Sequence, residues 1–385
     1  MAELTPRARR TLLALGGLYA AVNTFIGLHS GGDFVFHLRL AERLLHGQPL
    51  YADFDGSIGL PWPPFAILTL VPFALLARLS LPLTKAVWAI GNVALFGWCL
   101  VRGYRHAGRW TPVVLAVAAV AQPLQSNFQH LNINLVLLAL VTLAIADLEQ
   151  AREMRAALWI GVATALKGYP GGVFLYFLAR GRWRPPVVGV TVAVALSFLV
   201  VLPAGLVGAV IVPDYVHLAL TAQSTQALAG QSIGGLVARL GGTVATAVIL
   251  DLVAVAAVAA VLWRDRATTE PTYEVGMTAV LAVLLAPLDR LHYYVLAFPS
   301  WTDLFSRAAP ARGRRRAIWL GVLGVAALLT SGMLSHIHGT LPTVLRVIRQ
   351  NTYNFGALIL LIVLVARRTV LSQPDRKSTR LNSSH

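Results

Sequence analysis

Apolar stretches long enough to cross a bilayer recur along this chain from end to end, separated by short loops that carry most of the charge. No other feature limits the fold so strongly. Hydrocarbon about 30 Å thick takes about 20 helical residues to cross, and only helices or closed barrels satisfy their backbone there. The stretches are too long and too uniformly apolar for the alternating strands of a barrel. The sequence therefore predicts an all-α, polytopic transmembrane helical bundle. Charged residues make up only 12% of the chain, against roughly 25% in soluble domains. A net charge of +16 would suggest nucleic acid in a soluble protein. Here the basic residues sit in loops, where they orient spans, so the expected partner is the lipid bilayer and no nucleic acid is expected.

About twelve apolar segments can be drawn, at 11–28, 64–78, 86–103, 111–126, 132–148, 156–179, 186–212, 244–263, 275–288, 291–306, 317–335 and 354–367. Arg7, Arg9 and Arg10 precede the first, and no small-residue cleavage site follows it, so it reads as a retained span. The positive-inside rule puts the N-terminal arginines, Arg180 to Arg184, Arg264, Arg266, Arg307 to Arg316, Arg367 and Arg368 on the cytoplasmic side. Loops 29–63, 213–243 and 336–353 then lie outside, and both termini inside. Between 64 and 180 two schemes remain. Simple alternation leaves Arg102, Arg105, Arg109, Arg152 and Arg155 outside. The favoured alternative keeps all five inside by making 64–85 re-entrant and splitting 156–179 at Lys167-Gly168-Tyr169-Pro170, where Gly and Pro break a helix. Cys99, the single cysteine, permits no disulfide framework. Residues 1–374 read as one integral membrane domain. Residues 375–385, DRKSTRLNSSH, are one legal translation of a common sequencing adapter and are excluded from fold reasoning; without them the net charge falls from +16 to +14.

The polar residues that interrupt this pattern are the candidates for chemistry. After Gly31-Gly32, Phe34, Leu38, Ala41 and Leu45 recur at helical spacing, with Arg39, Glu42, Arg43 and His46 opposite and Gly47 at the end. This predicts a short interfacial amphipathic helix after the first span. Asp33 at its head is either a helix N-cap or a general base, and Glu42 is expected to pair with Arg39 or Arg43. The stretch Pro61-Trp62-Pro63-Pro64-Phe65 reads as a structural entry turn to the second segment, and Trp62 also suits an interfacial belt. The run Gln125 to Asn134, QSNFQHLNIN, could bond a sugar or phosphate, or join helices. Of 32 lysines and arginines only Lys85, Lys167 and Lys377 are lysines. A lysine kept within an apolar segment is costly, and its compact charge suits a phosphate. Gln231, Ser232 and Arg239 follow in loop 213–243, and Asp289, Arg290 and His292 stand between two apolar segments. Asp53 and Asp55 have a metal-ligand spacing but read as turn residues, so no metal or cofactor is expected.

In this order the pieces resemble family 87 of the glycosyltransferases, the polyprenol-phosphate-mannose-dependent alpha-mannosyltransferase-like group with the GT-C membrane fold. The matching motifs are Asp33, Gly47 to Tyr51, Trp62-Pro63-Pro64, Leu131 to Asn134, Ala163 to Pro170 around Lys167, Gly230 to Ile233 with Arg239 downstream, and Ala286 to Tyr293. Leu131-Asn132 departs from the family's Gly-Gln, and Asp289-Arg290 from its Ser-Trp. The resemblance implies an inverting transferase of the bacterial inner membrane. It would move a hexose, mannose by analogy, from a polyprenyl-phosphate donor to a glycolipid, lipoglycan or other acceptor on the non-cytoplasmic face. Asp33 would be the base and His292 its partner in catalysis. Lys167 and Arg239 would hold the phosphate, and Trp62, Asn132, Asn134, Gln231, Ser232, Asp289 and Arg290 would complete substrate binding. A lipid-sugar flippase or small-solute transporter shares the composition but does not require Asp33 at the head of an interfacial helix.

Overall fold

The computed structural model describes residues 6–51, 54, 60–225, 230–286, 290–308, 313–336 and 343–371, and every regular element among them is helical. The long α1 (Pro6–His29) turns into α2 (Gly32–Leu45). Two short helices, α3 (Pro64–Thr69) and α4 (Val71–Leu79), precede α5 (Leu81–Ala107). Then come α6 (Trp110–Ala119), α7 (Ala121–His130), α8 (Asn134–Leu148) and α9 (Glu153–Leu166), a 3-10 turn at Tyr169–Phe174, and α10 (Leu175–Leu178). The second half holds α11 (Arg184–Phe198), α12 (Val201–Thr225), α13 (Ile233–Arg239), α14 (Val244–Arg264) and α15 (Pro271–Leu285). A 3-10 turn at Leu291–Ala297 leads to α16 (Phe298–Ala308), α17 (Gly313–Thr330), α18 (Thr343–Gln350) and α19 (Thr352–Leu371). Central α8 and α15 bury almost every residue, with α5, α9, α16 and α19 packed around them. Peripheral α11 and α14 turn Val187, Val190, Ile249 and Leu252 outward, which is the surface a lipid solvent rewards.

Two ends of the bundle differ in character. At one, Trp88 Nε1 donates to the Leu131 carbonyl at 2.8 Å, Lys85 Nζ to that of Ser30 at 3.1 Å, and the Tyr294 hydroxyl to that of Gln231. At the other, Arg102 pairs with Glu149 (3.0 Å), Arg180 with Glu274 (2.7 Å), and Arg307 and Arg367 with Glu270 and Asp303. Arg109 donates to the Ser306 carbonyl, and Arg152 and Arg155 lie beside Asp147. The arginines that the two topological schemes disagree on thus gather with Arg180, Arg307 and Arg367.

The segment after Glu153 forms a hairpin between these ends. Helix α9 rises for 14 residues, about 21 Å, and stops at Lys167, whose backbone is extended (φ −165°, ψ 106°). The chain then returns through the 3-10 turn and α10 to Arg180, which donates to the Arg266 and Thr268 carbonyls. Lys167 stands at the tip. The rising limb lies so close to α11 that a Cβ on Gly161 would sit 2.4 Å from the Gly189 carbonyl oxygen, a small-residue approach typical of membrane helices.

Among the described residues three helices are long and apolar enough to cross a membrane: Leu81–Ala107, Arg184–Gly205 and Val244–Arg264. Several expectations need correction. Segment 111–126 breaks at Val120 between α6 and α7, and 186–212 breaks where Gly205 takes φ +57°. A hydropathy window averages over such breaks. Loop 213–243 is largely helix, since α12 runs on to Thr225 and α13 follows. Glu42 pairs with neither Arg39 nor Arg43: α2 packs on α4, and Arg78 grips both its carboxylate oxygens at 2.9 and 2.6 Å. Asp53, Asp55, Asp289 and the tail 375–385 lie outside the described residues.

Candidate functional site

The bend between α1 and α2 positions the first functional side chain. Gly31 takes φ +58°, and a Cβ there would meet Leu131 Cδ1 at 2.9 Å, so only glycine allows both the turn and the approach. Its N–H donates to the Gln129 carbonyl at 2.9 Å. Leu131 ends α7 in the left-handed region (φ 49°), a conformation uncommon outside glycine. These two turns face each other, and they bring Asp33 against Asn132. Asp33 is not the N-cap, because Gly31 holds that place and the carboxylate is free to point elsewhere.

Asp33 Oδ2 accepts from Asn132 Nδ2 at 2.7 Å, and its Oδ1 lies 3.8 Å from His130 Nδ1. The same Asn132 turns its Oδ1 to Lys167 Nζ at 3.2 Å and to Asn134 Nδ2 at 3.0 Å. Lys167 also donates to Asn134 Oδ1 (3.3 Å), and its ammonium sits 3.9 Å from the centre of the Tyr293 ring. Tyr169, whose hydroxyl donates to Asn134 Oδ1 at 3.1 Å, stacks on Tyr293 at 4.6 Å. His292 is buried beside them, 3.5 Å from Ser126 Oγ through Nδ1.

Of these groups, Asp33, Ser126, His130, Asn132, Lys167, His292 and Tyr293 line one cavity of about 490 Å³, together with His37, Trp62 and Arg290. Its polar groups run from a half-exposed carboxylate through an amide to a buried ammonium, so it can take a proton at one point and hold an anion at another.

Three predicted residues stand apart from this cavity. Arg239 donates to Asn351 Oδ1 (2.7 Å), Asn354 Oδ1 (2.6 Å) and the Gly230 carbonyl, which pins α13 to the start of α19. Ser232 caps α13 by accepting from the Gly235 N–H at 3.2 Å. The Gln231 carbonyl accepts from Tyr294 and Asn354. All three hold helices together.

Sequence reasoning missed His37. It lies one helical turn after Asp33, donates from Nδ1 to the Asp33 carbonyl, and accepts the Trp62 N–H at Nε2 (2.9 Å). Its ring stacks on Trp62 at 4.1 Å. Burial, with Lys167 nearby, pulls its pKa down to about 3, so it is neutral with the proton on Nδ1. The legible signal was the i, i+4 spacing that puts His37 on the Asp33 face. Tyr169 and Tyr293 were likewise not singled out, and His130 entered only within the polar run Gln125 to Asn134.

Residues 61–288 match the sequence model of glycosyltransferase family 87. That span includes Trp62, Asn132, Asn134 and Lys167, while Asp33, Arg290 and His292 lie outside it. A polyprenol-phosphate-mannose-dependent alpha-(1-2)-phosphatidylinositol mannoside mannosyltransferase of Mycolicibacterium smegmatis is 28% identical over 332 residues, 74% of this chain and 71% of that protein. Its counterpart of the same description in Mycobacterium tuberculosis is 27% identical over 380 residues, covering 88% of this chain and 86% of its own. A polyprenol-phosphate-mannose-dependent alpha-(1-2)-phosphatidylinositol pentamannoside mannosyltransferase of Mycolicibacterium smegmatis is 27% identical over 303 residues, 73% of this chain and 71% of that protein. No solved structure matches the chain significantly.

Proposed function

The chain belongs to glycosyltransferase family 87, and we propose that it moves mannose from a polyprenyl-phosphate donor to a lipid-linked glycan acceptor, inverting the anomeric carbon. The observation that carries this reading is the contact series Asp33–Asn132–Lys167 inside one cavity. In the reaction the acceptor hydroxyl gives its proton to the Asp33 carboxylate as its oxygen bonds to the anomeric carbon. The bond from that carbon to the phosphate oxygen breaks, and the lipid phosphate leaves with the electron pair. Lys167, with Arg290 on the same wall, stabilises the charge that collects there. His292 and Trp62 shape the sugar pocket, and Asn132 aims the carboxylate.

The architecture follows from the same reading. The bundle is of the GT-C type with about twelve membrane segments, α2 lies in the interface, and the cavity opens on the non-cytoplasmic face of the inner membrane. Both termini are cytoplasmic. The gathering of arginines at the end opposite the cavity supports this orientation, as does the hairpin that lifts Lys167 to the cavity from the basic end.

The test uses the purified full chain in nanodiscs with labelled polyprenyl-phosphate-mannose and a panel of phosphatidylinositol mannosides. Asp33→Asn should lower transfer about 10²–10⁴-fold. Full activity in that variant would sink the base assignment. A wild type that transfers from no polyprenyl sugar yet moves lipid across vesicles would sink the transferase reading.

A further inference from the structure

A second cavity, of about 140 Å³, opens at the basic end. Helices that line it, or lead into it, run back toward the first cavity. Helix α5 has Trp88 near the Asp33 cavity and Arg102 to His106 in the second. Helix α8 begins with Asn134 and is followed by Glu149. Helix α15 begins beside Thr272 and leads to Arg290. The 15 residues of α8 put about 22 Å between the two sites.

The lining of the second cavity changes along its depth. Cys99 and Phe298, both buried, give it an apolar floor. One turn further along α5 stand Arg102 and Gly103, and Arg105 follows at the mouth. Gly103 keeps the space open: a Cβ there would already meet Phe298 Cζ at 3.3 Å and Thr302 Cγ2 at 3.5 Å. Arg102 is anchored by Glu149 at 3.0 Å. Arg105 is exposed and makes no hydrogen bond or ion pair with any other described residue. One guanidinium is therefore fixed and its neighbour on the helix is uncommitted, above an apolar floor. Guanidinium forks match phosphate oxygens in geometry as well as charge. The apolar floor suits whatever ester group the phosphate carries.

We propose that this cavity binds a phosphate group, carried by an anionic phospholipid or presented as the free ion, at the membrane surface opposite the sugar-transfer cavity. Native mass spectrometry of the full chain in detergent, with phosphatidylglycerol and phosphatidylcholine as probes and inorganic phosphate as competitor, tests it. Phosphatidylglycerol should be retained over phosphatidylcholine. Arg105→Gln should weaken that retention about fivefold, the effect of one cationic side chain near an anionic headgroup. Gly103→Val should remove it by filling the cavity, and because Arg105 is exposed its variant remains informative if the glycine variant misfolds. Displacement of the lipid by millimolar phosphate would assign the site to phosphate as such; loss in the variants without displacement would assign it to the esterified headgroup. Equal retention of both lipids by the wild type, or unchanged retention of phosphatidylglycerol in Arg105→Gln, would overturn the proposal. The readout is lipid retention, so it stands apart from the outcome of the transfer assay.

Discussion

Replacing Lys167 by methionine removes one charge from the Asp33 cavity while nearly preserving side-chain volume. Two hydrogen bonds disappear, at 3.2 and 3.3 Å to Asn132 and Asn134, along with the contact over Tyr293. Hydrogen bonds from a charged donor contribute about 1.5–3 kcal/mol each, and a buried cation–π contact about 2 kcal/mol. Against that, burying the charge of a lysine that is only 8% exposed costs several kcal/mol in lost hydration, of order 5. The opposing sums are of similar size, so the melting temperature should move by no more than about 4 °C. Transfer should behave differently. The leaving phosphate gains charge as the sugar departs, and one preorganised donor aimed at such a charge is worth about 10²–10³ in kcat. The assay is labelled mannose transfer in nanodiscs, with kcat and KM for the donor measured separately. A kcat within tenfold of wild type, or a raised KM with kcat unchanged, would show that Lys167 binds the donor without favouring the transition state. Lys167→Arg keeps the charge, but its planar fork fits poorly between two amides and a ring, so it should recover only part of the rate.

Other variants read separate parts of the structure. His37→Gln tests the neutral imidazole: with its folded pKa at about 3 and the unfolded value near 6.5, the wild type should lose stability as pH falls through that window, at up to about 1.4 kcal/mol per pH unit. Thermal melts at pH 7 and 5 should show a smaller acid loss in the glutamine variant, and equal losses would refute the assignment. Arg239→Met should lower the melting temperature, by about 2–4 kcal/mol in stability, while the folded fraction keeps its donor KM; a selective rise in KM would restore Arg239 to the binding site. Gly161→Val forces a side chain against the Gly189 carbonyl and should cost about 1–3 kcal/mol, measured by chemical denaturation in detergent; wild-type stability would refute the close approach of α9 and α11.

What could be read from sequence depended on how local the cause was. The helix break at Lys167 is dictated by its own neighbours, Gly168 and Pro170, and it stands where those residues predict. Asp33, Asn132 and His292 interrupt apolar pattern at the edges of segments, so each was visible one at a time, and the cavity now joins them. Arg239 looks the same in sequence as a phosphate ligand. It bonds Asn351 and Asn354, which lie more than a hundred residues away, and no local pattern points to that contact. The helix boundaries within the apolar segments were illegible for a related reason: a hydropathy average cannot register the bends at Val120 and Gly205. His37 was hidden because its face of α2 read as apolar stripe, although the helical period aligned it with Asp33.

Asn132 has a consequence that goes beyond aiming a carboxylate. An acid and a base left to meet in a buried cavity would neutralise each other, and the site would then offer neither a strong proton acceptor nor a spare positive charge. The amide donates to one and accepts from the other, so it satisfies both without joining them. It works as an insulator. In the proposed reaction the negative group is then left for the proton of the incoming hydroxyl and the positive one for the outgoing phosphate, so that both halves of the reaction are served at once by a site whose resting charges do not cancel.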